Sequence, residues 1–224
     1  MSMYCQLEFA FTSDRLPALT GMVERMAEVS GFTYLLGCWE ETIASDLAWE
    51  GTHRLDDSQL IPGIPSWSWI SRYKQMASPK DSIEFSNGAN VNCTRLISSD
   101  IKWQDQPLVS ELLRAHLTLC GPVKNLLIPS LEVRPLSTFG PDRMNIQDGT
   151  FEEGLYTCLL MKKVLPGKPK GPSWMREQFL TLQEVQDVGK AMSSSVPCYR
   201  RVGMAASYNR HHFDDAEDRV IELV

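Results

Sequence analysis

Hydrophobic residues follow a helical period near the start of the chain and an alternating period through much of the rest. From Leu16 to Ser30 the apolar positions recur every three or four residues, which predicts an amphipathic helix. Gly31 is placed to end this helix, because glycine readily adopts the left-handed backbone of a helix C-terminus. The predicted apolar face consists of Leu16, Leu19, Val23, Met26 and Ala27, with Met22 and Val29 at its edges.

Alternation of apolar and polar residues predicts most of the remaining elements. Residues 113–120 predict a half-buried strand, and residues 123–128 continue it beyond Gly121-Pro122. Residues 155–164 are apolar on both faces, which predicts a central strand. Further predicted elements are strands at 4–11, 66–73, 198–206 and 219–224, a strand and turn at 76–90, a short buried segment at 33–39, a helical turn at 42–49, a polar connection at 129–149 and a helix at 177–192.

These elements predict an α+β fold made mainly of antiparallel strands, barrel-like or a sandwich, with the N-terminal amphipathic helix packed on it. A length of 224 residues fits a single domain. Within it, residues 1–32 supply a strand and the helix, residues 33–75 a tryptophan-rich core segment, and residues 76–224 mainly β-structure. A chain of this length buries about 70% of its unfolded surface, so we expect it to fold without disulfides or a metal ion.

The most specific pattern lies in residues 33–71, which hold four of the six tryptophans. Each indole buries on the order of 150–250 Å², so we expect this segment to nucleate the core. Its blocks are YLLGCW at 34–39, DLAW at 46–49 and PSWSWIS at 65–71. They resemble the YLAGLW, DL…LLW and PSWSWAS blocks that follow the core of fungal heterokaryon-incompatibility (HET) domain proteins.

The resemblance to the C-terminal region of HET proteins extends from about residue 12 to the end of the chain. Residues 13–31 are similar to the block that precedes the tryptophan block, and YRRVG at 199–203 is similar to a block near the end of these proteins. Cys38 and Ile70 depart from the family pattern, which usually has leucine and alanine there. The HET core itself is lacking, so the resemblance implies no catalytic residues. We expect either a fragment of a HET protein or a free-standing module put to a new use.

Charge and cysteine usage narrow the class of function. A formal net charge of −6 argues against binding to nucleic acid and to an anionic membrane, because both need a basic surface. The sequence has no run of 18 apolar residues and no basic region at its N-terminus, so we expect neither a membrane span nor a signal peptide. The six cysteines form no CxxC pair, which disfavours a zinc site and fits reduced thiols in a cytoplasmic protein.

Candidate catalytic groups include the histidines. His211 and His212 stand beside Asp214 and Asp215, and a histidine near a carboxylate suits acid–base catalysis near neutral pH. The ordinary alternative is a solvated loop. His116 lies on the more polar face of a predicted strand, where it would donate to a substrate carbonyl if that face lines a cavity. Otherwise it is a surface or internally satisfied histidine.

A tyrosine, an arginine and two tryptophans complete the main candidates. An inward-pointing Tyr199 or Arg201 would polarise a carbonyl or hold an enolate, and edge-strand polarity is the ordinary alternative. Trp67 and Trp69 would stack on a flat substrate or else fill the core. A nucleophilic cysteine would need a lowered pKa, which nothing nearby in the sequence requires. We therefore predict His116, His211, Tyr199 and Arg201 for catalysis, Trp67, Trp69, Tyr156, Met161 and His212 for substrate binding, and no metal ligand.

The leading functional hypothesis is a cofactor-independent, pericyclase-like cyclase or isomerase of fungal secondary metabolism. Ten methionines and six tryptophans suit an apolar cavity that orients a hydrophobic small molecule for reaction. The rival hypothesis is a non-catalytic HET-type recognition module that binds a protein partner, and a homodimer is a further expectation. A closed cavity lined by tryptophan, tyrosine and histidine favours the enzyme. A filled core with an exposed apolar patch favours the module.

Overall fold

The computed structural model describes residues 14–51, 61, 63–71, 76–77, 90–128, 144–149, 153–165, 175–185, 196–208 and 211–224. Most of this chain is β-structure in one large, mainly antiparallel sheet, and a short helix lies near the N-terminus. The predicted α+β class with mainly antiparallel strands is therefore confirmed at this level. The strand predicted at 4–11 lies outside the described residues.

The N-terminal helix, α1, spans Thr20–Ser30 and follows a 3-10 turn at Pro17–Leu19. Proline suits the start of this turn because its fixed φ matches a helical backbone. The N–H that proline lacks would have no hydrogen-bond partner in the first turn. Gly31 ends the helix with a φ of 71°, and its N–H donates to the carbonyl of Ala27 at 2.8 Å. The helix and its C-terminal glycine are thus confirmed.

The predicted apolar face packs on the rest of the chain mainly through its N-terminal part. Leu19 is buried, and Leu16 and Val23 pack against the core. Within α1, the apolar side chains of Met22, Met26 and Val29 are exposed. The amphipathic pattern therefore predicts more burial than the helix has.

The tryptophan-rich segment begins with a hairpin. Strands β1 (Tyr34–Leu35) and β2 (Cys38–Trp39) pair across a two-residue turn, and helix α2 follows at Ile43–Asp46. Strand β3 (Glu50–Gly51) then pairs with β4 (Met76–Ala77). The short buried segment and the helical turn predicted for this region are both confirmed.

The strand predicted at 66–73 is wrong, because the described part of this stretch consists of turns and a 3-10 helix at Trp69–Ser71. The Ser68 hydroxyl donates to the Leu36 carbonyl and accepts from the Ile70 N–H. A serine that bonds its own backbone in this way favours a turn over an extended strand. Both tryptophans of the stretch are nevertheless buried.

Eight further strands form the large sheet. Strand β7 passes straight through Gly121-Pro122, as the predicted continuation requires. Strand β9 has partners on both sides, which confirms it as central. The strands are β5 (Asn90–Asn92), β6 (Arg95–Trp103), β7 (Leu112–Ile128), β8 (Met144–Gly149), β9 (Gly154–Val164), β10 (Arg176–Glu184), β11 (Cys198–Tyr208) and β12 (Glu217–Leu223).

The strand pairings of this sheet lead back to their starting point. Strand β7 pairs with β9, β9 with β10, β10 with β11, β11 with β12, and β12 with β7. The long β7 makes this circuit because its residues 117–123 pair with β12 and its residues 123–128 with β9. The β11–β12 pair is parallel, and the other pairs of the circuit are antiparallel.

Two strands differ from the sequence prediction. The helix predicted at 177–192 is wrong over its described part, because Arg176–Glu184 forms β10 between β9 and β11. Its glutamates and glutamines favour a helix locally, but pairing on both sides overrides that preference. Strand β6 was not predicted, since its sequence RLISSDIKW mixes polar and apolar residues at an edge. The predicted polar connection contains β8, and residues 129–143 lie outside the described chain.

One cluster of buried apolar residues joins the N-terminal segment to the sheet. Leu19, Trp49 and Trp67 contribute from the N-terminal side, and Leu117 and Leu159 from strands β7 and β9. A smaller cluster surrounds the Phe179 and Phe213 rings, whose centroids are 5.3 Å apart. The tryptophan-rich segment therefore shares its core with the strands.

Candidate functional site

Five of the predicted site residues lie in the packed interior of the molecule. Their exposed fractions do not exceed 8%, so each is almost fully surrounded by protein. Tyr156 is half-buried against the smaller apolar cluster. The five interior residues are Trp67, Trp69, Met161, Tyr199 and Arg201.

Trp69 and Ser68 fasten the turn of the N-terminal hairpin. The Trp69 indole N–H donates to the carbonyl of Gly37, and the Ser68 hydroxyl donates to the carbonyl of Leu36 at 2.7 Å. Leu36 has a φ of 47° and Gly37 a φ of 97°. A left-handed leucine costs roughly 1–2 kcal/mol, which burial of its side chain and these two bonds offset. The observed contacts give Trp69 a structural role, and its contact with a substrate stays a prediction.

Arg201 joins strand β11 to the tryptophan-rich segment. Its guanidinium carbon lies 3.3 Å from the centroid of the Trp49 ring, a cation–π arrangement. Its Nη2 donates to the Trp49 carbonyl at 2.6 Å and its Nη1 to the Leu47 carbonyl at 3.3 Å. The Arg201 backbone N–H donates to Ser66 Oγ at 2.9 Å, and the Trp49 indole N–H to the Trp67 carbonyl at 2.9 Å. These donors are directed at the chain itself.

His116 takes part in a polar array that crosses three neighbouring strands. Its Nδ1 lies 2.7 Å from Glu222 Oε1, and Glu222 Oε2 accepts from the Cys198 thiol at 3.2 Å. Glu222 is the register partner of Cys198 on β11 and of Thr118 on β7, which brings His116 diagonally beside it. The three polar side chains therefore lie together on one face of β7, β12 and β11.

The His116 side chain lines a shallow, open groove of about 240 Å³. Ile64 and Pro65 of the tryptophan-rich segment form part of its wall, and Arg114 lines it on β7. Arg114 is paired with Asp100 at 2.9 Å. When Nδ1 of His116 carries the proton and donates to Glu222, Nε2 is left as the basic nitrogen. This groove is the part of the described chain that best fits the predicted acid–base chemistry.

His116 was predicted from the sequence, but its partners Glu222 and Cys198 were not. Glu222 and His116 are 106 residues apart, and no spacing rule joins them. The local pattern gives no signal either, because successive side chains of a strand point to opposite faces. A carboxylate between buried Ile221 and Leu223 is what a half-buried strand ordinarily shows.

His211 and His212 lie in a turn beside the buried carboxylate of Glu177. The His212 backbone N–H donates to Glu177 Oε2 at 3.0 Å, and Lys163 Nζ lies 3.4 Å from the other carboxylate oxygen. Lys163 also pairs with Asp214 at 3.0 Å, and His211 Nδ1 lies 3.0 Å from Asp214. His211 is exposed, and the turn is held to strands β9 and β10 by these charges.

The charges around Lys163 decide which groups there stay ionised. The hydrogen bond from Lys163 lowers the pKa of Asp214. Burial lowers the pKa of Lys163, but the hydrogen bond to Asp214 and the charge of Glu177 outweigh it, so the net shift is upward. Lys163 therefore remains an ammonium at neutral pH, which is a state that cannot attack a substrate.

Three of the described cysteines, Cys38, Cys93 and Cys158, lack the electrostatic setting of a nucleophile. Burial raises the pKa of Cys158 to about 12 and raises that of Cys38 well above its usual value. Burial also raises the pKa of Cys93. A thiol that stays protonated is a poor nucleophile, and Cys198 uses its proton on Glu222.

Comparison with protein-family models, with curated proteins and with solved structures found no match for this chain. The resemblance to HET proteins therefore stays a prediction. Within the described residues, no three histidine, cysteine, aspartate or glutamate side chains are arranged to hold a metal ion. None of the helices in those ranges is long and apolar enough to cross a membrane.

Proposed function

We propose that this chain is a non-catalytic recognition module that binds a protein partner. The observation that carries the proposal is the interior position of the residues predicted to contact a substrate. Trp67 and Met161 are 0% exposed and Trp69 is 3% exposed, so their surfaces are already used for packing. The resemblance to HET proteins, which take part in self/non-self recognition, supports the same class.

The strand pairings give a second argument for the module. We infer that the five-strand circuit from β7 to β12 forms a small barrel-like body. Small barrels are filled by their own side chains, and larger ones enclose ligand cavities. The buried leucines of β7, β9 and β10 fit a filled interior, which leaves surface recognition as the better-supported activity.

We propose the cytoplasm as the compartment in which the module acts. The five described cysteines, Cys38, Cys93, Cys120, Cys158 and Cys198, are all free. Free thiols fit a reducing compartment.

A second candidate function is the cofactor-independent cyclase or isomerase acting on a hydrophobic fungal metabolite. The His116–Glu222 pair beside the groove favours it, since Glu222 would stabilise the imidazolium after His116 accepts a proton. The volume of about 240 Å³ is below the roughly 300–1,000 Å³ usual for ligand pockets, and the groove is open. We therefore place this candidate second.

A complementation experiment separates the two candidates. The gene is deleted in the source organism and restored as the wild type or as His116→Gln, which keeps a side-chain amide beside Glu222. We expect the metabolite profile, measured by mass spectrometry, to be the same in all strains. We also expect both restored proteins to co-purify with one protein partner in a fixed ratio. A product that disappears on deletion and that His116→Gln does not restore would reject the module in favour of the enzyme.

A further inference from the structure

Helix α1 presents a stripe of apolar side chains to solvent, next to the face that it packs on the core. Met22, Met26 and Val29 follow one another at i, i+4 and i+7, and Phe32 extends the stripe just beyond Gly31. The exposed fractions of these four side chains are 44, 47, 72 and 38%. At about 100° per residue, the three helical members lie within an arc of about 60°. We call these four residues the α1 stripe.

The spacing of the α1 stripe is that of a helix that docks into a groove. In this mode of recognition, apolar anchors at i, i+4 and i+7 enter a hydrophobic groove on the partner. Methionine suits such a contact because its flexible thioether adapts to the opposing surface. Apolar residues scattered singly over a surface need no explanation, whereas contiguous ones mark an interaction site. Helix α1, which the structure describes in full, has no fully buried residue.

The surroundings of the α1 stripe are acidic at the C-terminal end of the helix. No basic residue lies in the last turn of α1, so the negative end of the helix dipole has no compensating charge within the helix. Arg25 is paired with Glu28 at 3.1 Å. Just beyond the helix, Glu40 is exposed, and the Glu41 carboxylate accepts from the Thr33 N–H at 3.0 Å. A complementary surface must therefore be apolar at its centre and basic at this end.

We propose that the α1 stripe docks into an apolar groove of a different protein, whose rim carries lysine or arginine side chains facing the C-terminal end of α1. The inference rests on the proposed recognition function and names its contact surface. A second copy of this chain is a poorer occupant, because each copy carries a net charge of −6 and the two would repel.

Site-specific photocrosslinking in the source organism tests this surface. The full chain is expressed with benzoylphenylalanine in place of Met26, and a matched chain carries it in place of Val220, which is 42% exposed on β12. We expect one protein to be captured from position 26 and not from position 220. That protein is then purified and its affinity for the unmodified chain is measured.

Variants of the purified chain show whether the captured protein uses the α1 stripe. We expect Met26→Glu to weaken binding at least tenfold and Val220→Glu to weaken it less than twofold. We also expect the affinity to fall as salt is raised, because the basic rim faces acidic side chains. Met26→Glu should keep the urea midpoint of the wild type, since the side chain that it replaces is exposed.

Five outcomes would overturn the proposal. Capture from position 220 alone would reject the α1 stripe as the contact surface and leave the recognition function standing. If neither position captures a protein and no partner co-purifies, the result would count against both the α1 stripe and the recognition function. Capture of a second copy of this chain would replace the proposed partner by a homodimer. A clear fall in the urea midpoint of Met26→Glu would show that the stripe packs within the chain. Equal affinity of Met26→Glu and the wild type would show that the partner binds elsewhere.

Discussion

Arg201 lies beneath the Trp49 ring although it carries a charge that water would solvate. Removing a charge from water costs several kcal/mol unless nearby groups replace the lost hydration. The indole face and the carbonyls of Leu47 and Trp49 supply such groups here. The planar guanidinium serves them together because it can stack on a ring while its N–H groups donate in the plane.

This geometry predicts that Arg201→Lys is not a conservative substitution. Lysine keeps the charge but loses the stacking plane and one of the two carbonyl bonds. We expect the free energy of unfolding to fall by about 2–3 kcal/mol, on the scale of a lost charge-assisted hydrogen bond plus a desolvated cation–π contact. Urea unfolding at pH 7, with the midpoint read at an unchanged slope, measures the difference.

The neighbouring residue provides the control for this prediction. Arg200 is exposed and donates to Gln183 Oε1 at 2.9 Å. Arg200→Lys should change the free energy of unfolding by less than about 0.5 kcal/mol, as surface substitutions usually do. Equal effects of the two substitutions would show that the buried contacts of Arg201 contribute nothing beyond ordinary surface polarity.

At the scale of elements, the β1–β2 hairpin and the turn at residues 66–71 hold each other in place. The hairpin turn needs left-handed backbone at both of its central residues, which suits Gly37 and strains Leu36. The Ser68 hydroxyl and the Trp69 indole reach these two residues from a stretch about 30 positions later. The repeated serine–tryptophan pattern thus serves to lock a turn.

Two glycines with left-handed backbone allow two effects of an added Cβ to be separated. One is the contact with Trp69 and Ser68, and the other is backbone strain. A Cβ added at Gly37 would lie 2.9 Å from the Trp69 Nε1 and 3.0 Å from the Ser68 Oγ, whereas one added at Gly31 would meet nothing within 4 Å. We expect Gly31→Ala to cost about 1 kcal/mol from the backbone alone. Gly37→Ala should cost at least about 1–2 kcal/mol more, because a buried hydrogen bond is also disturbed.

Thermal unfolding of the two glycine variants beside the wild type measures this difference. The comparison is internal, since both substitutions make the same chemical change at a glycine with positive φ. Equal melting temperatures for Gly31→Ala and Gly37→Ala would contradict the proposed lock between the hairpin and the turn.

The sequence predicted the elements whose periodicity is strong and failed where pairing or side-chain bonds decide the structure. Helix α1 and strands β7 and β9 lie where their apolar patterns predict them, although only part of the predicted apolar face of α1 is buried. Strand β10 was mistaken for a helix because its two glutamates and two glutamines favour a helix locally, whereas the strand is paired on both sides. The stretch at residues 66–71 alternates like a strand, but Ser68 bonds the backbone and bends it into turns.

The candidate site shows the same limit. His116 was predicted from its residue type and its place on a polar strand face, whereas Glu222 and Cys198 become its neighbours through the register of β12 against β7 and β11. Register is set by tertiary pairing and cannot be read from local spacing. The interior positions of Trp67 and Trp69 depend in the same way on contacts with distant strands.

At the scale of the whole molecule, the described N-terminal segment is part of the main core. Trp49 and Trp67 belong to the same apolar cluster as Leu117 on β7 and Leu159 on β9. Arg201 adds polar links between β11 and this segment. Neither the N-terminal segment nor the sheet can unfold without exposing the apolar side chains of the other. We therefore expect the two to unfold together.

This coupling is tested by following two signals during urea unfolding. Replacing Trp103 and Trp174 by phenylalanine confines tryptophan emission to residues 39–69, while far-UV circular dichroism reports mainly on the strands. We expect the two transitions to share one midpoint, because loss of Trp67 from the shared core would expose the leucines of β7 and β9. Arg201→Lys should lower both midpoints by the same amount. A fluorescence transition that precedes the loss of circular dichroism would mean that the tryptophan-rich segment is an appendage. The interior positions of its tryptophan rings would then no longer argue against a binding site between this segment and the sheet.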